Sequence, residues 1–273
     1  ARILYRLKIL PVYRIRDGFE NLKQNDDTFH DTLRVMEHLN GVVILPEGSH
    51  DVHRKLRQLK KGICRIAFQT AEASEYKKEI NIVPVGIEYS HYWHFRQVLT
   101  VVYGHPIHVS EYYDSYRQNP NRAIVELRDR LSSDMKKVMV HIEEEEDYEA
   151  INELRSIINE KYSDRIKYPK LFRDTRLISK VNELHQKDPE AYAQLCSGSL
   201  AVRDLAKELK LTYRHLRKKK HPLGWLLLSA LFLLVTLPVF VTGALLNIFI
   251  FKVSEIQSLK TKDPGFISTT RYG

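Results

Sequence analysis

The chain has 273 residues, with 43 Lys and Arg against 34 Asp and Glu, and a formal net charge of +9. That length holds one sizeable core and a smaller appendage. Its two cysteines, Cys64 and Cys196, have no CxxC spacing, which excludes a disulfide framework and a cysteine zinc site and fits a reducing, cytosol-facing environment.

In chain order, Leu7-Lys-Ile-Leu-Pro-Val-Tyr-Arg14 reads as a short strand, followed by the turn signal Asp17-Gly18. Arg14 and Arg16 leave that strand as a basic pair. Asp26, Asp27 and Thr28 are N-cap candidates, and Phe29, Leu33, Met36 and Leu39 recur at helical spacing until Asn40-Gly41 stops the helix. Val42, Val43, Ile44 and Leu45 are too short and too uniformly apolar for an amphipathic helix, and predict a strand buried on both faces. Pro46 then removes a ladder donor and Gly48 permits a sharp turn, presenting Glu47, Ser49 and His50. Strand ends of this kind are where α/β folds place ligands.

Beyond His50, the residues Val52, Leu56, Leu59, Ile63 and Ile66 keep a helical period, with Gly62 in the middle. Residues 80–88 are a second buried apolar run, broken by Pro84 and Gly86, and residues 98–103 are a third, ending at Gly104. Pro120 opens a helix with Ile124, Leu127, Leu131, Met135, Val138 and Ile142 on one face. Strands alternating with helices argue an α/β domain, a mixed sheet flanked by helices. From Glu143 onwards the chain reads as polar helix, with Leu177, Val181 and Leu184, then Val202, Leu205 and Leu209, as stripes for helical packing.

Charge is unevenly distributed: Glu143 to Asp147 is an acidic run, whereas Arg214, Arg217, Lys218, Lys219 and Lys220 form a basic cluster. The cluster stands directly before residues 222–251, which contain no Asp, Glu, Lys, Arg or His and are long enough to meet a phospholipid bilayer. Cations there read as a cytoplasmic membrane flank, not as a nucleic-acid patch, because no aromatics interleave them. As one helix this stretch would span about 45 Å against about 30 Å of hydrocarbon. Pro238 and Gly243 lie near its middle, and Lys252, Lys260 and Lys262 follow it. A re-entrant or tight helical hairpin with both flanks cytosolic is therefore favoured over a single tilted span. Three His-x-x-His pairs (His50/His53, His91/His94, His105/His108) do not make a metal site without further ligands, and none is expected. Tyr89, Tyr92, Trp93 and Phe95 beside them read either as interfacial aromatics or as packed core.

Three pieces, in order and spacing, resemble the glycerolipid acyltransferase family, the 1-acylglycerol-3-phosphate and glycerol-3-phosphate acyltransferases. Pro11-Val-Tyr-Arg14 looks like the family's second block, Leu45-Pro-Glu-Gly-Ser-His50 like its third, usually Phe-Pro-Glu-Gly-Thr-Arg, and Val83-Pro-Val-Gly-Ile87 like its fourth. Leu59-Lys-Lys-Gly-Ile63 falls where the family carries a similar Lys-Gly pair. The resemblance covers roughly residues 1–110. None of the twelve histidines has Asp five positions on, so the family's His-x4-Asp block is absent, and the chain is expected to be an internal fragment with that dyad upstream of Ala1. The fragment by itself is then expected to be inactive.

The resemblance implies a membrane-associated enzyme, its catalytic domain on the cytoplasmic side. It would transfer a fatty acyl group from an acyl-CoA or acyl carrier protein thioester to a hydroxyl of glycerol 3-phosphate or a lysophospholipid. No bound cofactor and no covalent enzyme intermediate are implied. Substrate binding would fall to Arg14, Glu47, Gly48, Ser49 and His50, with Arg16 and Lys61 as further candidates, while Pro46, Pro84 and Gly86 shape the backbone. His50 departs from the family's arginine, replacing an always-charged fork with a ring largely neutral at pH 7, which leaves the acceptor open. The expected organisation is an α/β acyltransferase domain over 1–147, a helical cytosol-facing extension over 148–221, a membrane segment over 222–251 and a basic tail over 252–273. The alternative is a catalytically inactive membrane scaffold, or an anionic-lipid-binding protein, with an acyltransferase-like fold.

Overall fold

The computed structural model describes residues 8–9, 24–38, 40–48, 53–89, 98–162, 170–213 and 223–260. In chain order the elements are helices α1 (Gln24–Glu37) and α2 (Gly62–Ala73), strands β1 (Asn81–Ile82), β2 (Val85–Tyr89), β3 (Leu99–Tyr103) and β4 (Ile107–His108), a 3-10 turn (Val109–Tyr112), and helices α3 (Tyr113–Gln118), α4 (Pro120–Val138), α5 (Tyr148–Tyr162), α6 (Lys170–Lys187), α7 (Pro189–Glu208) and α8 (Leu223–Lys260).

Among the described residues the strands form two separate pairs flanked by helices, so the expected mixed α/β sheet is seen only in part. β1 pairs antiparallel with β4, placing Asn81 opposite His108 and Ile82 opposite Ile107, and β2 pairs with β3. The interruption between β1 and β2 falls at Val83-Pro84, where proline has no N–H to give the ladder. Pro84 keeps its acceptor side: its carbonyl takes the N–H of Gly104 at 2.8 Å. The buried strand expected at 42–45 is also corrected. Among the described residues that stretch lies outside every strand, with Val43 94% and Leu45 75% exposed, and carries no ladder partner to bury it.

The chain divides into two compact units. One comprises residues 1–49, 56–86 and 101–139, the other residues 50–55, 87–100 and 140–273. The first is built on an apolar core of Cys64, Phe68, Ile107, Val109, Leu127 and Leu131. α2 buries Cys64, Ala67, Phe68 and Ala71, the spacing of one helical face. It begins at Gly62 and not near Val52, so Leu56 and Leu59 are buried from non-helical backbone. α4 starts as its sequence dictates, with the Asn119 side chain accepting the Arg122 N–H and Pro120 in the first turn. Phe68 stacks on Tyr116 with ring centroids 4.1 Å apart.

The second unit contains α5, α6 and α7, whose inner faces bury Ala150, Ile151, Leu171, Ile178, Val181, Tyr192 and Cys196. It also buries charge: Arg155 Nη1 meets Asp174 Oδ2 at 2.7 Å with side chains 4% and 1% exposed, and Asn159 donates to the other carboxylate oxygen. Of the two expected stripes only the first packs. α7 turns Tyr192, Cys196 and Ser199 inward and leaves Leu205 exposed, as is Leu209 after it. The acidic run 143–147 is not helical; Ile142 ahead of it is buried from non-helical backbone, and helix resumes at Tyr148.

α8 is 38 residues long, roughly 57 Å at the α-helical rise, and long and apolar enough to cross a membrane. It runs unbroken through Pro238, so the expected hairpin is replaced by one continuous helix. The basic cluster before it lies outside the described residues.

Candidate active site

The turn after residue 45 is fixed by three local contacts. Lys60 N–H donates to the Pro46 carbonyl at 2.8 Å, and Arg57 N–H donates to Glu47 Oε2 at 3.0 Å. Gly48 has φ +70°, the left-handed region that favours glycine; a Cβ there would also touch Lys60 Cγ at 3.6 Å. The turn therefore lies along residues 57–60, immediately before the N-terminus of α2. Lys61 is the N-cap of that helix and makes no side-chain capping bond. The first-turn amides of a helix have no intrahelical acceptor and carry partial positive charge. Lys60 and Lys61, both exposed, add full charges beside them.

Of the residues singled out in the sequence, this arrangement brings together Pro46, Glu47 and Gly48 with the segment leading to Lys61. Pro84 and Gly86 act elsewhere: Pro84 is fully buried, and a Cβ on Gly86 would stand 1.9 Å from the Val138 carbonyl oxygen. Arg14, Arg16, Ser49 and His50 lie outside the described residues, as do His91, Tyr92, Trp93, His94 and Phe95. Lys60 is the residue that sequence reasoning passed over; its signal was the doubled lysine before Gly62.

Residues 1–88 match the family described as Acyltransferase. Over those residues the chain resembles an acyltransferase domain. A curated relative, glycerol-3-phosphate O-acyltransferase 1 of Saccharomyces cerevisiae, is 29% identical over 163 residues, 58% of this chain and 21% of the relative. The chain thus spans about a fifth of that protein's length. No solved structure matches.

Within the matched region, the turn carries one carboxylate, and that carboxylate is spent on a backbone amide. What remains around Gly48 is ammonium and helix-terminal N–H, a setting for an anionic group. Of the remaining histidine candidates, His108 faces Glu79 at 2.9 Å and His53 meets the Tyr148 ring edge-on. Among the described residues no three His, Cys, Asp or Glu side chains cluster as metal ligands.

Proposed function

We propose that the protein is a membrane-associated glycerolipid acyltransferase that acylates a hydroxyl of glycerol 3-phosphate or a lysophospholipid, using a soluble acyl thioester, acyl-CoA or acyl carrier protein, on the cytoplasmic face. The carrying observation is the Glu47–Gly48 turn, where the Glu47 carboxylate locks the backbone to Arg57 and leaves Gly48 beside Lys60 in an acyltransferase domain. In this reading Gly48 admits close backbone approach, while Lys60, Lys61, Arg14 and Arg16 neutralise the acceptor phosphate. Ser49 and His50 complete the binding segment. The acceptor oxygen bonds to the acyl carbon, the C–S bond breaks, and the hydroxyl proton ends on the departing thiol. Proton transfer is assigned to the family's His-x4-Asp pair, which no histidine of this sequence forms. α8 would hold the domain at the bilayer that receives its product.

The test is radiolabelled acyl transfer by the full-length protein in membranes, with glycerol 3-phosphate and a lysophospholipid as acceptors. Arg14→Ala and Lys61→Ala should each raise the acceptor KM about tenfold or more and leave the donor KM unchanged, as loss of a charge-assisted contact requires. Absence of transfer to either acceptor overturns the reading, and equal loss for donor and acceptor removes both residues from the phosphate site.

A further inference from the structure

α8 is apolar on every side and covered on none. Successive residues of a helix are turned by about 100°, so Leu231, Phe232, Leu233 and Leu234 look out in four directions, and each is more than half exposed. No residue between Leu223 and Phe251 is buried. A core helix is apolar all round because other elements cover it, and a helix lying along a membrane surface keeps one polar face. α8 meets neither description.

The hydroxyl and amide side chains within the apolar stretch turn back on the helix itself. Ser229 Oγ donates to the Trp225 carbonyl at 2.8 Å, Thr236 Oγ1 to Phe232 at 2.9 Å, Thr242 Oγ1 to Pro238 at 2.9 Å and Asn247 Nδ2 to Gly243 at 2.8 Å, each to the carbonyl four residues back. Hydrocarbon offers these donors no acceptor, so a lipid-facing helix has to supply its own. The first charge after Leu223 is Lys252, which pairs with Glu255 at 3.4 Å in the same helix. At the helical rise, Leu223 to Phe251 covers about 44 Å, which matches a bilayer of about 40–45 Å with its headgroups. Trp225 then falls at one interface and Lys252 at the other.

We propose that α8 crosses the bilayer once, so that residues 252–260 stand on the membrane face opposite the chain that enters at Leu223, with lipid hydrocarbon of both leaflets as the partner of its apolar surface. The entry flank carries Arg214, Arg217, Lys218, Lys219 and Lys220, whereas the first nine residues of the exit flank carry only Lys252 and Lys260. The positive-inside bias therefore sets the entry on the cytoplasmic face and the exit on the other. This rests on the membrane association proposed above, and not on acyl transfer.

The test is labelling by a membrane-impermeant maleimide of the full-length protein in sealed, cytoplasmic-side-out vesicles. Single cysteines are placed at exposed positions, Lys207→Cys before the helix and Leu259→Cys near its end, with Gln257→Cys as a second reporter of the far end, and label is read above that taken by the unmodified protein. Lys207→Cys should label in sealed vesicles. Leu259→Cys and Gln257→Cys should label at least tenfold less until detergent opens the membrane. Equal labelling of both ends in sealed vesicles, or labelling of the far end alone, overturns the proposal. Release of the protein by alkaline carbonate overturns it together with membrane association, and acyl transfer by the released protein would leave the acyltransferase reading standing.

Discussion

The two units bury different chemistry. The first closes on Phe68, Leu127, Leu131, Ile107 and Val109, whereas the second sets Arg155, Asp174 and Asn159, and also Arg54 with Glu88, among its apolar side chains. An apolar core is non-directional, so its tolerance is set by volume. An ionic core is directional, and it is most sensitive to removal of one partner, because the other is left buried without its counter-charge. The unit that carries the Glu47–Gly48 turn is thus governed by packing, and the unit that carries the segment after it by pairing.

The largest effect is expected where the apolar unit has no volume to give. In Gly86→Ala the new methyl would stand 1.9 Å from the Val138 carbonyl oxygen and 2.6 Å from its carbon, both backbone atoms. The end of α4 must shift, and the loss should exceed about 3 kcal/mol, read as loss of folded protein or a collapsed melting midpoint. Gly104→Ala is the control. Its methyl would meet the Val138 side chain at 3.3 Å and Pro84 at 3.4 Å, contacts that small movements relieve, so it should fold. Equal behaviour of the two alanines would show that close backbone approach at Gly86 is not what limits the unit.

Next comes the ionic unit. Asp174→Ala strands Arg155 and Asn159 and should cost about 3–5 kcal/mol in denaturant melts. Arg155→Met/Asp174→Leu should recover most of that, with the Asn159 amide as the residual deficit. Leu131→Ala in the apolar unit costs a similar amount, about 2–5 kcal/mol, but no second substitution nearby should restore it by pairing. If the double variant in the second unit is as unstable as Asp174→Ala, the contrast between the units fails.

These contrasts also mark what the sequence could and could not tell. α4 was legible because Pro120 opens it and Ile124, Leu127, Leu131 and Met135 repeat on one face. The Glu47–Gly48 turn was legible because Pro46 fixes its own φ and removes a donor while Gly48 admits the left-handed conformation a sharp turn needs. The stretch at Val43 and Leu45 was misread, since an apolar run reports a preference for burial and says nothing of whether a partner strand is there. α2 was placed too early because Leu56 and Leu59 happen to keep the helical period while buried from non-helical chain. The paired interior of the second unit left no signal: Arg155 and Asp174 are nineteen positions apart on different helices, and charged residues in polar helices read as solvent-facing until tertiary structure brings them together.

The subtlest expected effect concerns Lys170, at the start of α6. Burial, and then the neighbouring positive charge of Arg155, lower its ammonium pKa from the usual 10.5 to about 8, against the opposing pull of Asp174; the charges of Arg54 and Glu88 act more weakly and in opposite directions. Below pH 8 both folded and unfolded chains hold this proton, and the folded state bears the full penalty of a charge it accommodates poorly. Between pH 8 and 10.5 the folded chain releases the proton while the unfolded chain keeps it. The unfolded state then binds more protons, so this residue's contribution to stability rises with pH across that window and is lost again as pH falls back through it. Lys170→Met removes the titration. The difference in unfolding free energy between wild type and variant should favour the variant at pH 7 and move toward the wild type from pH 8 to 10.5, measured by urea melts at fixed ionic strength. A difference independent of pH across that window would remove Lys170 from the charge cluster, leaving Arg155–Asp174 and Arg54–Glu88 as separate pairs. A full pH-linked swing would make the second unit one coupled ionic core, in which the Arg54–Glu88 pair responds to the protonation of Lys170 on α6.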